Sequence, residues 1–319
     1  MGSVTASEAE LPRLSVVLET STWHRDGAIQ LDETLRALRD QDYPSEKLQI
    51  VPVVYGEIAG YQSVLDAYGI HEWAVVTEET GYFEGKRAGL QLANGEIIAF
   101  VDADNSMPAN WARGIVAPLM TRPEVGAVLG KTRYRNGLLS RFWDIFWWDR
   151  SFGRVGVTDV VAGNNIAFRR EILDGYWYPD LGKVRGAWER AMGDRLKEFD
   201  RVVWFAPGVL LTHDYSFSFR THLQRAYYRG FSLLLRRYTY PRGAESHLPK
   251  VRLLVPVLAF PPLVAKDLRR LSTRFLASGY PRRSLWKLPG LFVVFLLTEP
   301  VTLAGMLRTL NRQGYVEPP

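Results

Sequence analysis

An α/β fold with a doubly wound, mostly parallel sheet and a C-terminal apolar, basic helical appendage follows from three observations. Short apolar runs alternate with helical spacings over about the first hundred residues. One run, Ile97 to Val101, is apolar enough to be buried on both faces, and about the last eighty residues turn to long apolar stretches joined by Arg and Lys. With 319 residues, 47% of them apolar, the chain can bury one large core and still carry an appendage. The expected division is residues 1–240 and 241–319.

Taken in order, Leu14 to Leu18 reads as a strand ending in Glu19-Thr20-Ser21. Leu31, Leu35 and Leu38 then fall at helical spacing. Leu48 to Val54 and Trp73 to Val76 are two further strands. A helix runs through Lys86, Arg87 and Leu90, and Asn94-Gly95 ends it. Beyond the Ile97 strand, Asn105-Ser-Met-Pro108 is a turn that leads to a helix near Asn110. Val125 to Leu129 and the turn plus strand Gly163 to Phe168 follow, then a helix over Trp188 to Phe199 and a strand over Val202 to Phe205. Between these, Leu138 to Phe152 carries Phe142, Trp143, Phe146, Trp147 and Trp148 at helical spacing, which suits a core or an interface.

The Ile97 strand stops at Asp102-Ala103-Asp104. Residues i and i+2 of a strand share a face, so both carboxylates can address one divalent cation and the diphosphate it carries. The C-terminal ends of parallel strands are where open α/β sheets bind ligands. A second Asp-x-Asp, Asp40-Gln41-Asp42, sits at a helix end before Tyr43-Pro44 and reads as a chance match.

The composition narrows the chemistry. There are no cysteines, so disulfides and thiolate metal sites are excluded and an oxygen-ligated hard cation is favoured, with five histidines available to assist. The net charge of +6 is concentrated from Lys250 onward. Its basic residues flank apolar runs rather than forming a polar stripe, which fits anionic lipid head groups and not nucleic acid. Met1 to Glu8 has neither the basic flank nor the apolar core of a signal peptide, and Ala6 breaks the myristoylation pattern, so a cytosol-facing catalytic part is expected.

The order of motifs resembles family 2 glycosyltransferases of the GT-A fold, over about residues 12 to 235. Gln41-Asp-Tyr-Pro44 is similar to the family's Q-x-Y-P. Gly85-Lys-Arg-Ala-Gly-Leu-Gln-Leu-Ala-Asn-Gly-Glu-Ile-Ile-Ala-Phe-Val-Asp-Ala-Asp104 follows its A-K-N-x-G-L-x-x-A-x-G-E-x-I-A-F-L-D-A-D closely. Gly163-Asn164-Asn165-Ile-Ala-Phe-Arg-Arg170 and Trp188-Glu189-Arg-Ala-Met-Gly-Asp194-Arg-Leu196 match later motifs, and His213-Asp214 looks like a late histidine motif.

What the resemblance implies is a metal-dependent, inverting transfer of one sugar from a nucleotide diphosphate donor to an acceptor hydroxyl, on a lipid or a glycan. Asp104, Asp102 and His213 would take Mn2+ or Mg2+. Glu19, Thr20, Glu57, Lys86, Arg87, Asp102 and Ala103 would serve the nucleotide, with a UDP-sugar as the default donor. Gly163, Asn164, Asn165 and Trp188 would line the acceptor site, and Glu189 would be the catalytic base, with Asp194 its rival. The sequence departs from the family at Val53-Val-Tyr55-Gly-Glu57, which lacks the usual acid closing the second strand. Glu19 also stands where proline is common, and Gln224-Arg-Ala-Tyr-Tyr228 misses the processive Q-x-x-R-W. The alternatives are a sugar nucleotidyltransferase, whose Gly-rich loop is missing from Leu18 to Trp23, and a degenerate transferase-like binding module.

At the C-terminus, Leu253 to Ala265 is too short to span a bilayer and reads as an interfacial or re-entrant piece. Leu288 to Leu307 is long enough but contains Glu299-Pro300. Between them Lys266, Arg269, Arg270, Arg274, Arg282, Arg283 and Lys287 face only Asp267. Association with the cytoplasmic face of the cell membrane is the expectation.

Overall fold

The computed structural model describes residues 10–20, 27–57, 59–134, 139, 155–175, 187–213, 218–220, 222–227, 230, 254–277 and 288–309. The aromatic stretch around Phe142 to Trp148 lies outside them. Two compact units are present, one of Met1–Thr132, Arg154–Tyr178 and Glu189–Asp214, the other of Arg133–Gly153, Pro179–Trp188 and Tyr215–Pro319.

The first unit holds a nine-stranded sheet in the order β3-β2-β1-β4-β8-β6-β9-β5, with β7 paired to β9. Its parallel half is β1 (Leu14–Glu19), β2 (Leu48–Tyr55), β3 (Ala74–Val76) and β4 (Ile97–Asp102). β1 and β4 are buried along their whole lengths, as unbroken apolar strands of a covered parallel sheet should be. β5 (Asn105–Ser106), β6 (Val125–Tyr134), β7 (Gly156–Thr158), β8 (Ile166–Arg169) and β9 (Val202–His213) add antiparallel pairings.

Two strands run past the points where local sequence suggested a stop. β6 continues through Gly130, and β9 passes Pro207-Gly208 to reach His213. The pairing of β9 with β7 ends at Phe205 and that with β5 begins at Thr212, so Pro207 lies between these two ladders.

The helices are α1 (Gly27–Arg39), α2 (Ala59–Ala67), α3 (Tyr82–Leu92), α4 (Trp111–Thr121), the short α5 (Arg170–Leu173) and α6 (Ala187–Glu198). Leu31, Leu35 and Leu38 are fully buried beneath α1. α2 had no counterpart in the sequence reading, although Tyr61, Val64, Leu65 and Tyr68 repeat at i, i+3, i+4 and i+7 and pack on the core. Asp40-Gln41-Asp42 has a structural role. The Gln41 amide donates to the Ala37 and Pro108 carbonyls, its oxygen accepts from the Ala112 amide at the start of α4, and Asp42 pairs with Arg113.

The second unit contains α7 (Leu254–Ala277) and α8 (Leu288–Thr309). The thirteen-residue apolar piece expected here is the first half of a 24-residue helix. Pro261 and Pro262 lie inside it, each removing a backbone donor from the helical ladder. α8 likewise continues through Pro300.

Candidate metal and nucleotide site

β4 ends in Asp102, and its parallel register with β1 sets Glu19 directly beside it. The tight turn after β4 is fixed from three sides. The Ala103 amide donates to the Glu19 carbonyl, the buried Thr34 hydroxyl of α1 reaches the Ala103 and Asn105 carbonyls at 2.5 and 2.9 Å, and the Asn105 side chain bonds the Asp102 carbonyl. β5 then pairs with the end of β9, and Asn105 lies opposite His213. Two short local constraints thus bring together residues about 110 positions apart in sequence.

The result is a buried group of Asp102, Asp104 and His213 whose ligand atoms all lie within 4.8 Å of one another. His213 Nε2 is 3.4 Å from Asp104 Oδ1. Two carboxylates and an imidazole at this spacing form an oxygen-rich donor set suited to Mn2+ or Mg2+.

α3 closes the other side. Tyr82 and Lys86 are four residues apart on one helix face. The Lys86 ammonium, fully buried, donates to Asp102 Oδ1 at 2.9 Å and to the Gly163 carbonyl at 2.7 Å, and it lies 4.2 Å from the centre of the Tyr82 ring. The Tyr82 hydroxyl sits 2.6 Å from Asp102 Oδ1 and 3.2 Å from the Gly163 carbonyl. Its phenol is pushed well above the usual range, first by burial, then by the carboxylates of Asp102 and Glu19, with Glu189 contributing further.

Close approach of α3 to the sheet depends on its glycines. A Cβ at Gly85 would lie 1.9 Å from the Tyr55 hydroxyl, and one at Gly89 would lie 2.5 Å from Val17.

The Gly163 to Arg170 motif divides into site and scaffold. Asn164 accepts from the Asp102 amide at 3.1 Å, bracing the metal turn. Asn165, fully buried and at φ 55, commits its side chain to protein groups. Its oxygen accepts from the Trp111 indole at 2.9 Å, and its NH2 donates to the Lys131 and Val209 carbonyls at 3.0 and 3.1 Å. Arg169 caps carbonyls near the end of α4, and Arg170 those of Ala93 and Gly95 after α3, as cations at helix C-termini do.

Of the other expected site residues, Thr20 is buried and donates to the Val53 carbonyl, and Trp188 is buried in the first turn of α6. Glu57 and Arg87 are exposed. Tyr82 and Thr34 were missed in the sequence. Tyr82 could have been found from its i, i+4 relation to Lys86.

Residues 26–177 match the family described as Glycosyl transferase family 2. The chain is 30% identical over 184 residues to the probable glycosyltransferase YdaM of Bacillus subtilis, a match covering 52% of this chain and 42% of that one. It is 26% identical over 173 residues to the glucosyl-dolichyl phosphate glucuronosyltransferase of Haloferax volcanii, covering 50% and 54%. The chain therefore spans about half the length of these curated relatives. Among solved structures, the mannosyltransferase PcManGT from Pyrobaculum calidifontis, in complex with GDP-Man and Mn2+, superposes with a TM-score of 0.58. That match is 19% identical and covers 97% of this chain and 90% of that one, a likeness of fold.

Proposed function

The chain carries a glycosyl transferase family 2 domain with the GT-A fold, and on that premise we propose that it is a metal-dependent, inverting transferase. It moves one sugar from a nucleotide diphosphate donor to an acceptor hydroxyl. The observation that carries this reading is the buried Asp102, Asp104 and His213 group at the end of a parallel strand. Those three residues would hold Mn2+ or Mg2+, and a cation there would neutralise charge developing on the departing diphosphate. Asn164 and Thr34 keep the carboxylates aimed, so the site is organised before the donor arrives. Glu189 takes the proton of the attacking hydroxyl, and Glu19 and Thr20 face the nucleotide. Asn165 is a scaffold residue in this scheme rather than an acceptor contact. UDP-sugars and GDP-sugars are both candidate donors, the first by family resemblance and the second because the solved neighbour holds GDP-Man.

The acceptor is proposed to be lipid-linked, with residues 1–240 catalytic and the remainder associating with the membrane. One relative is named for a dolichyl phosphate substrate. Within α8, Pro289–Leu307 is long and apolar enough to cross a membrane, with mean hydropathy 1.9. Its outward face carries Phe292, Val293, Leu296 and Leu297, and Leu296 is 66% exposed, whereas Thr298, Glu299 and Thr302 are turned inward, Glu299 being only 4% exposed. Apolar outward and polar inward is the arrangement of a helix whose surroundings are acyl chains. The exposed Lys266 and Arg269 of α7 add attraction to anionic head groups. Binding at a cytoplasmic leaflet is the form we propose.

The test is transfer and donor hydrolysis with Mn2+, scanned over nucleotide sugars and first guided by thermal shift. A donor at 100 times its dissociation constant stabilises by about 2.7 kcal/mol. Glu189→Gln is expected to lower turnover by about 10² to 10⁴ while leaving cation and nucleotide binding intact. Wild-type turnover in that variant would remove Glu189 from the chemistry. Leu296→Ser with Leu297→Ser should reduce flotation with anionic vesicles, and undiminished flotation would reject the lipid face.

A further inference from the structure

Lys86 does more than border the candidate cation site, for it already supplies a cation to one of the three proposed ligands. Its ammonium is fully buried and rests on Asp102 Oδ1 at 2.9 Å. It is fixed in place by the Gly163 carbonyl at 2.7 Å and by the Tyr82 ring. A lysine taken wholly out of water needs such partners, and the Asp102 carboxylate needs a counter-charge in the same way. Asp102 is therefore charge-balanced before any divalent ion arrives.

We propose that Lys86 is a built-in counter-ion that keeps the affinity for free divalent cation low, so that the cation and the nucleoside diphosphate are taken up as a coupled pair. The inference rests on the reading that Asp102, Asp104 and His213 hold the cation. A divalent ion entering that group meets an ammonium buried against Asp102 and Gly163, and the two cations repel one another across a low-dielectric site. A diphosphate brings the negative charge that offsets both. Each ligand then raises the affinity of the other by the same factor, as linkage requires. The physical consequence is that a site free of nucleotide does not trap metal. Lys86 acts here as a positioning and charge-setting residue, with Tyr82 its platform.

The experiment is titration of the full chain with Mn2+, read by electron paramagnetic resonance of the free ion, with and without UDP or GDP. It compares wild type, Lys86→Gln and Asp104→Ala. Glutamine keeps donors for Asp102 and Gly163 but removes the charge. Wild type should bind Mn2+ weakly alone and on the order of tenfold or more tighter with diphosphate, within the range usual for coupled sites. Lys86→Gln should bind Mn2+ alone more tightly than wild type by a similar factor, with the diphosphate enhancement reduced to match. Unchanged or weaker binding of Mn2+ alone in a natively folded Lys86→Gln would overturn the counter-ion role. If that variant fails to fold, wild type still decides, since equal Mn2+ affinity with and without diphosphate refutes the coupling. Failure of the underlying site looks different: no Mn2+ binding under any condition, or binding unaffected by Asp104→Ala.

Discussion

Replacing Asn165 by alanine separates scaffold from acceptor contact at this position. The side chain serves the Trp111 indole and the Lys131 and Val209 carbonyls, all in a fully buried setting at φ 55. Truncation orphans the buried indole N–H, at about 1 to 3 kcal/mol, and removes one partner from each of two carbonyls, at about 0.5 to 1.5 kcal/mol apiece. Alanine in the left-handed region adds about 1 kcal/mol, a conformation that asparagine tolerates. Allowing for partial relaxation, a loss of about 3 to 5 kcal/mol is expected, a large share of a typical domain's stability. Urea unfolding followed by tryptophan fluorescence measures it. A loss below about 1 kcal/mol, accompanied by a raised KM for acceptor, would refute the scaffold argument and return Asn165 to the acceptor site.

Two further outcomes are expected. Gly85→Ala would set a methyl 1.9 Å from the Tyr55 hydroxyl, so the Tyr55 ring or α3 must shift, at a cost of about 1 to 3 kcal/mol. Adding Tyr55→Phe should recover part of that loss, and no recovery in thermal unfolding would discount the contact. In the second unit, burial and the nearby Arg225 lower the His222 pKa from 6.5 to about 4, so the neutral ring is the folded form. The unfolded chain then binds the extra proton first. Stability from this residue is complete above about pH 6.5 and declines as pH falls toward 4. In detergent, His222→Gln should flatten that decline, and parallel pH profiles would argue against it.

The parallel half of the sheet was legible because each strand is a short apolar run and the signal is local. Asp102 and Asp104 were legible for the same reason, standing where an apolar run meets a turn. What connects them to function was not local. Tyr82 and Lys86 share a helix face in any reading of the sequence, yet their chemistry depends on the Gly163 carbonyl about 80 positions later. The division within Gly163 to Arg170 was hidden similarly. Asn164 turns to the site and Asn165 into the core because the backbone at 165 is left-handed, which one asparagine beside another does not reveal. In the second unit, Glu299 looked like an interruption of a spanning helix. The structure instead turns it inward beside Thr298 and Thr302, leaving the apolar outer face continuous.

The most direct measurement is calorimetric titration of UDP and GDP into the protein with Mn2+ present, absent, and present in the Asp104→Asn variant. Saturable binding that needs Mn2+ and disappears in Asp104→Asn, with the unfolding transition unchanged, is the predicted result. Equal nucleotide affinity in all three conditions would contradict a diphosphate site built on the acidic end of β4.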